Sequence, residues 1–267
     1  MKFAVLFLLT VSIILFSAGC SINEVTGERQ FMLLSEDQDV EMGKSYAPEI
    51  EKEMGGEIQN LALQNYIDGV GQKVAAASGN PQGFEYHFTA VEDKMVNAFA
   101  LPGGYIYITR GMLEKLDSEA QLASILAHET VHVVARHSSA QISREIGMEV
   151  ALTVASSQTS GGAMQVAGIA RQMIGLGYSR SQEKEADLNG LRYMVNAGYD
   201  PQGMVQTMQI LEAESGSGGI EFLQTHPSPE NRVGYISDAI RERGYPRTGL
   251  KVGKEDYQRY VLNELKP

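Results

Sequence analysis

No feature of this chain limits its fold more than His128-Glu129-Thr130-Val131-His132. Two histidines four residues apart share one helical face, one turn from each other, and that spacing lets both reach a single ion. Zinc accepts imidazole nitrogens at about 2.0–2.1 Å. Glu129 lies about 60° round such a helix from His132, so its carboxylate can face the remaining position on the metal, where water sits, and take that water's proton. The preceding residues favour a helix. Ser118 and Gln121 form a capping signal, and Leu122, Ile125 and Leu126 follow at helical spacing. The plainer alternative is an amphipathic helix whose histidines are incidental.

A hydrolytic zinc needs a third protein ligand and an open fourth position. Ser181 to Ala197 is predicted helical, closed by Gly198 with Pro201 shortly after. It carries Glu183, Glu185 and Asp187. Glu183 and Asp187 share a face, whereas Glu185 points about 200° away from Glu183. The expectation is Glu183 on the metal and Asp187 against the second nitrogen of a ligand histidine, where it fixes the tautomer. The competing reading of these acids is a solvated charged face. His137, about 140° from His132 on a continuous helix, is not expected to be a ligand. His87 falls on the polar side of a strand and is assigned no role.

The remaining elements follow from periodicity. Ser35 with Gln38 starts a helix that runs to about Met54, where Gly55-Gly56 stops it. A second helix fits Glu57 to Ala77, broken by Gly79-Asn80-Pro81. Phe84, Tyr86, Phe88 and Ala90 then alternate at strand spacing, Met95 to Leu101 is a second extended candidate, and Tyr105 to Thr109 a third. Ala163 to Leu176 is apolar nearly all round, Gly216 to Gly219 is a flexible link, and helices fit Pro229 to Arg243 and Glu255 to Leu265. The predicted class is α+β, a mostly helical single domain with a small, mainly antiparallel sheet. With 267 residues, 43% hydrophobic and 21% charged, the chain can build one sizeable core. A net charge of −11 and no basic stripe argue against nucleic acid as a partner.

The first twenty residues stand apart. Lys2 precedes an apolar run from Phe3 to Phe16, and Ser17-Ala18-Gly19 lead into Cys20. This is the layout of a secretory signal. The run is shorter than the ~20 residues that span a bilayer. Its ending resembles a bacterial lipobox, although Ser17 stands where an aliphatic residue is usual. Cys20 is the single cysteine, so no internal disulfide can form, and its place at the end of the apolar run fits lipidation better than packing. The expected organisation is a signal peptide over 1–19, a lipid-anchored tether over 20–34 and a zinc-peptidase domain over 35–267. A plain signal peptide or an uncleaved anchor helix are the alternatives.

His-Glu-x-x-His followed by Glu-x-x-x-Asp resembles the gluzincin arrangement of zinc peptidases. Five blocks are similar, in the same order, to the family that holds the CAAX prenyl protease and HtpX. They are Asn97-Ala98-Phe99-Ala100-Leu101-Pro102-Gly103-Gly104-Tyr105-Ile106-Tyr107, Tyr178-Ser179-Arg180, Glu183-Lys184-Glu185-Ala186-Asp187, Ala197-Gly198-Tyr199-Asp200-Pro201, and Thr225-His226-Pro227-Ser228-Pro229-Glu230-Asn231-Arg232. Asn23-Glu24-Val25-Thr26-Gly27 resembles the family's periplasmic, BepA-like lipoprotein branch, whose members do not span a membrane. The resemblance implies one zinc per chain on His128, His132 and Glu183, with Glu129 as general base. It implies that Asn97, Ala98 and Phe99 form an exposed strand edge that pairs with a substrate backbone. It places His226 near the metal, either donating to the developing oxyanion or closing the open metal position until displaced. Arg232 is then a companion at the oxyanion. The implied activity is hydrolysis of unfolded or misassembled envelope proteins, in the periplasm, on the outer membrane rather than the inner, with Cys20 as the lipid anchor. The rivals are an envelope chaperone or outer-membrane assembly factor with a low-activity zinc site, and a purely structural zinc with His226 as fourth ligand.

Overall fold

The computed structural model describes residues 19–156, 177–214, 222–246 and 248–266, with the side chains of 149–156 excepted. Most of the expected signal segment, the apolar Ala163–Leu176 stretch and the Gly216–Gly219 link lie outside the described residues. The chain opens with a hairpin of β1 (Cys20–Ile22) and β2 (Arg29–Phe31), paired antiparallel. Helix α1 (Glu36–Glu53) starts at the predicted capping box of Ser35 and Gln38. Helix α2 (Leu61–Ser78) begins later than periodicity predicts. The reason is that Glu57 bridges Val91, Ile58 donates its N–H to the Ala90 carbonyl, and Asn60 then caps the helix.

Three strands follow: β3 (His87–Val91), β4 (Ala98–Ala100) and β5 (Tyr105–Thr109). Their order is β3-β5-β4. β4 and β5 are antiparallel, while β3 runs parallel to β5 with His87 beside Tyr105. With the hairpin, two of the three strand pairings are antiparallel, as expected. The rest is helical: α3 (Arg110–Leu113), α4 (Glu119–Val134), α5 (His137–Ser156), α6 (Arg180–Asn196), α7 (Gln202–Glu214), α8 (Phe222–Thr225), α9 (Arg232–Glu242) and α10 (Lys254–Tyr257), which continues as a π-helical turn over Gln258–Leu262. Among the described residues, no helix is long and apolar enough to cross a membrane.

Helix α4 is the axis of the domain. Every residue from Glu119 to Val134 is buried, so the helix cannot be amphipathic in the usual sense and must satisfy its polar groups internally. It packs against α6, α2, α7 and β4. Gly190 on α6 lets that helix approach closely: a Cβ there would stand 3.1 Å from the His128 backbone nitrogen and 3.2 Å from Ala127 C. At its front end, Ser118 caps Gln121, and the N–H groups of Glu119 and Ala120 donate to the Gly253 and Val252 carbonyls. These are donors that a helix start cannot satisfy within itself. The Glu119 carboxylate accepts from Tyr66 at 2.7 Å, Tyr199 at 2.8 Å and Lys251 at 2.6 Å.

At the rear end, α4 does not run on into α5. Arg136 adopts φ 54°, a left-handed conformation that costs an ordinary side chain energy. Its guanidinium is held by buried Asp39 at 2.6 Å and by the Leu34 carbonyl at 2.8 Å. Ser139 donates to the other Asp39 oxygen at 2.8 Å. The segment expected as a tether is packed on this end of the body. Asn23 and Met32 are buried, Gln30 donates to the Ala135 carbonyl, and the Leu33 N–H donates to Ser143.

Gly190→Leu forces a side chain into the α4–α6 contact. Overpacking of this kind is expected to lower stability by about 1–3 kcal/mol. A reduced urea midpoint against wild type measures it.

Candidate metal centre

Helix α4 projects His128, Glu129 and His132 toward α6, which returns Glu183 and Asp187. His132 Nε2 lies 3.1 Å from His128 Nε2, and 3.5 Å from Glu183 Oε1. His128 Nε2 lies 3.5 Å from Glu183 Oε2. A tetrahedral ion bound at 2.0–2.1 Å spaces its donors about 3.3–3.4 Å apart, so these three groups match the edges of one such site. His226, four residues after the start of α8, completes a group whose ligand atoms all lie within 4.8 Å of one another. All five side chains, Glu129 included, are 0–1% exposed.

Two further observations fit a divalent cation. Glu129 Oε1 and Oε2, Glu183 Oε1 and His226 Nε2 are buried without a hydrogen-bond partner, a costly state unless something binds them. Glu129, Glu183 and Asp187 also bring three carboxylates against the single guanidinium of Arg232. Fully ionised, these sum to −3 + 1 = −2, which one divalent cation neutralises.

The ligands are held from behind. His128 Nδ1 lies 3.0 Å from Asp187 Oδ1. Arg232 on α9 donates to Asp187 through Nε at 2.8 Å and Nη2 at 2.7 Å, and reaches Glu183 Oε2 at 3.2 Å. The Tyr235 hydroxyl donates to Asp187 Oδ2. His226 stacks on Phe222, centroids 4.2 Å apart, and its Nδ1 lies 3.0 Å from Thr225 Oγ1. Its Nε2 lies 3.4 Å from Glu129 Oε1.

Burial dominates the ionisation of these groups. It pushes Glu129 up to about 8, with the Glu183 charge adding to the rise and His128 opposing it. Burial disfavours the imidazolium of His128, but the Glu183 and Asp187 carboxylates outweigh it and raise the group to about 9. His226 is pushed down to about 3 by burial. Burial would raise Asp187, yet the Arg232 guanidinium and His128 hold it below the usual carboxylate range. A bound cation competes with these protons for the same atoms and favours ionised Glu129.

The structure brings together His128, His132, Glu183 and His226, with Glu129, Asp187 and Arg232 in contact with them. Asn97, Ala98 and Phe99 do lie at the sheet edge, on and beside β4. That edge is not exposed: the three residues are 1%, 0% and 5% exposed. Phe99 packs on Tyr107, and Phe222 donates its N–H to the Val96 carbonyl beside it. Both side-chain polar atoms of Asn97 are buried without a partner.

Three contributors escape the sequence reasoning. Tyr178 stacks on the His132 ring with centroids 3.8 Å apart. Tyr235 joins the Asp187 clamp. His137 sits with Nδ1 2.8 Å from His132 Nδ1. His137 stands outside the ligand group, and the helix break at Arg136, which neither Gly nor Pro marks, brings it against the far side of the His132 ring. Tyr178 stands in the Tyr178-Ser179-Arg180 block, whose Ser179 caps α6, but nothing in that block gives its role against His132.

A helix bearing His-Glu-x-x-His, crossed by a second bearing Glu and Asp four apart, defines the class: a zinc-dependent metallopeptidase. Comparison with known proteins gives the family. Residues 61–240 match Peptidase family M48, more than half of the chain, and the chain belongs to that family. It is 30% identical over 241 residues to the beta-barrel assembly-enhancing protease of Yersinia pestis, covering 84% of this chain and 48% of that protein. It is 34% identical over 201 residues to the putative beta-barrel assembly-enhancing protease of Vibrio cholerae, covering 71% and 41%. It is 31% identical over 228 residues to the mitochondrial metalloendopeptidase OMA1 of Schizosaccharomyces pombe, covering 82% and 66%. The chain thus spans about half the length of its beta-barrel assembly-enhancing relatives.

Glu183→Ala removes one corner of the donor triangle. Zinc content of the purified protein, measured by atomic emission, is expected to fall well below one ion per chain. Full loading would move the third ligand elsewhere.

Proposed function

We propose that the protein is a zinc-dependent endopeptidase of the bacterial cell envelope that cleaves unfolded or misassembled proteins. The observation that carries this reading is Glu129. Its carboxylate is fully buried, has no hydrogen-bond partner, and stands beside the histidine–glutamate group. A structural zinc site has no use for such a group, whereas hydrolysis does. His128, His132 and Glu183 hold the ion, and Asp187, clamped by Arg232 and Tyr235, orients His128. Zinc supplies Lewis acidity to the scissile carbonyl and to water. Glu129 takes the proton of the attacking water and passes it to the leaving amine. The Arg232 Nη1 atom, buried without a partner, is the donor available for oxyanion stabilisation.

His226 favours the inhibitory reading in this conformation. Its Nε2 belongs to the ligand group and faces Glu129, so it occupies space that water and substrate need. Displacing it opens the fourth position. Asn97, whose amide atoms lack partners, and the β4 edge are the backbone-pairing surface for substrate once that displacement occurs.

The N-terminal segment and the relatives support an envelope location. Cys20 is exposed in β1, beside the exposed apolar side chains of Ile22 and Phe31, as a lipidated residue facing a bilayer requires. The names of the beta-barrel assembly-enhancing relatives support substrates drawn from β-barrel assembly for this chain.

Glu129→Gln is expected to retain zinc while cleavage of unfolded casein falls by at least about a hundredfold. Retained cleavage would sink the assigned base. His226→Ala is expected to raise the rate of casein cleavage, while a drop would return His226 to the oxyanion role.

A further inference from the structure

The edge of His132 turned away from the ligand group carries a chain of buried contacts that the hydrolytic roles leave unused. His132 Nδ1 lies 2.8 Å from His137 Nδ1. His137 Nε2 lies 3.5 Å from Glu185 Oε1. Asn23 Nδ2 donates to that same oxygen at 2.8 Å. The Asn23 side-chain oxygen is already taken by the Val25 and Thr26 N–H groups, at 2.8 and 3.3 Å, so its amide nitrogen must face Glu185.

The protons along this chain are fixed once Nε2 of His132 is committed to a metal. Its remaining proton then sits on Nδ1 and is donated outward. Nδ1 of His137 must accept it, which leaves the His137 proton on Nε2. That N–H is buried without a hydrogen-bond partner, and the Glu185 carboxylate, 3.5 Å away at Oε1, is the acidic group beside it.

We propose that His137, backed by Glu185, is a positioning residue for the metal centre, serving His132 as Asp187 serves His128. The proposal rests on the zinc reading of His128, His132 and Glu183. Charge explains why an imidazole stands here and not a second carboxylate. The buried carboxylates and Arg232 already leave −2, which one divalent ion neutralises, and a fourth carboxylate against the ligands would be uncompensated. His137 instead stands between His132 and Glu185, whose side chain is 15% exposed and can be ionised at lower cost. The left-handed turn at Arg136 makes this geometry, because it returns His137 to the His132 ring when a continuous helix would carry it away. Asn23 extends the support into the N-terminal hairpin, outside the family-matched residues 61–240.

The test uses the full chain with zinc retention as its readout, by competition with a coloured chelator. His137→Leu is expected to weaken retention about tenfold to a hundredfold, the usual cost of losing an outer partner of a ligand. His137→Asn, whose Oδ1 can replace Nδ1 as acceptor, is expected to recover most of it. Glu185→Gln weakens retention in the same direction by less. In cobalt-substituted protein, the visible absorption bands shift for His137→Leu and return for His137→Asn, which a general loss of stability would not produce. Wild-type zinc affinity in His137→Leu, or no recovery in His137→Asn, overturns the proposal. If circular dichroism shows that His137→Leu fails to fold, Glu185→Gln decides, and wild-type affinity and cobalt spectrum there overturn it. A wild-type protein that holds no zinc overturns the reading of the site itself.

Discussion

Three carboxylates buried around one guanidinium set the terms for the whole domain. Buried charge is tolerated only when it is paired and hydrogen-bonded. Here the pairing draws on three helices: α4 supplies the histidines and Glu129, α6 supplies Glu183 and Asp187, and α9 supplies Arg232 and Tyr235. Arg232 touches both acids of α6 and so fixes how α9 lies against it. The apolar core around these groups is continuous, running from α2 through α4 to α7 and the π-helical turn. That surrounding is what makes the charges strong in their effect on one another and selective for a divalent partner.

Local signals were legible where side chains speak to their own backbone. Ser35, Ser118 and the Tyr105–Thr109 run each produced the element that their chemistry predicts. The metal-facing residues were legible for the same reason, since helical periodicity places Glu183 and Asp187 on one side without any tertiary knowledge. What stayed hidden depends on tertiary force. The break at Arg136 exists because Asp39, far away in sequence, holds the strained turn. The parallel pairing of β3 with β5 is a choice between sheet edges that alternation cannot express. The burial of Asn97 to Phe99 follows from α4 packing on β4 and from Phe99 joining Tyr46, Ile50 and Tyr107, contacts with no local signature.

The N-terminal hairpin has a place in this scheme that its composition does not announce. Polar and short-stranded, it reads as a connection between an export signal and a domain. In the folded protein it reaches Glu185 through Asn23 and the rear of α4 through Gln30. An anchor at Cys20 would therefore be rigidly coupled to the catalytic helices, orienting the site relative to a membrane surface.

Both ends of α4 are closed by residues remote in sequence. Val252, Gly253 and Lys251 satisfy the front, with Lys251 lying 132 positions from Glu119. Asp39 secures the rear from 97 positions before Arg136. Contacts of such separation form slowly and late, because the loop entropy must be overcome before they are made. The helix that bears the general base is thus among the last parts of the molecule to be completed. An α4 without its Val252, Gly253 and Asp39-held partners is an unfinished helix, so topology by itself ties the general base to the completed fold.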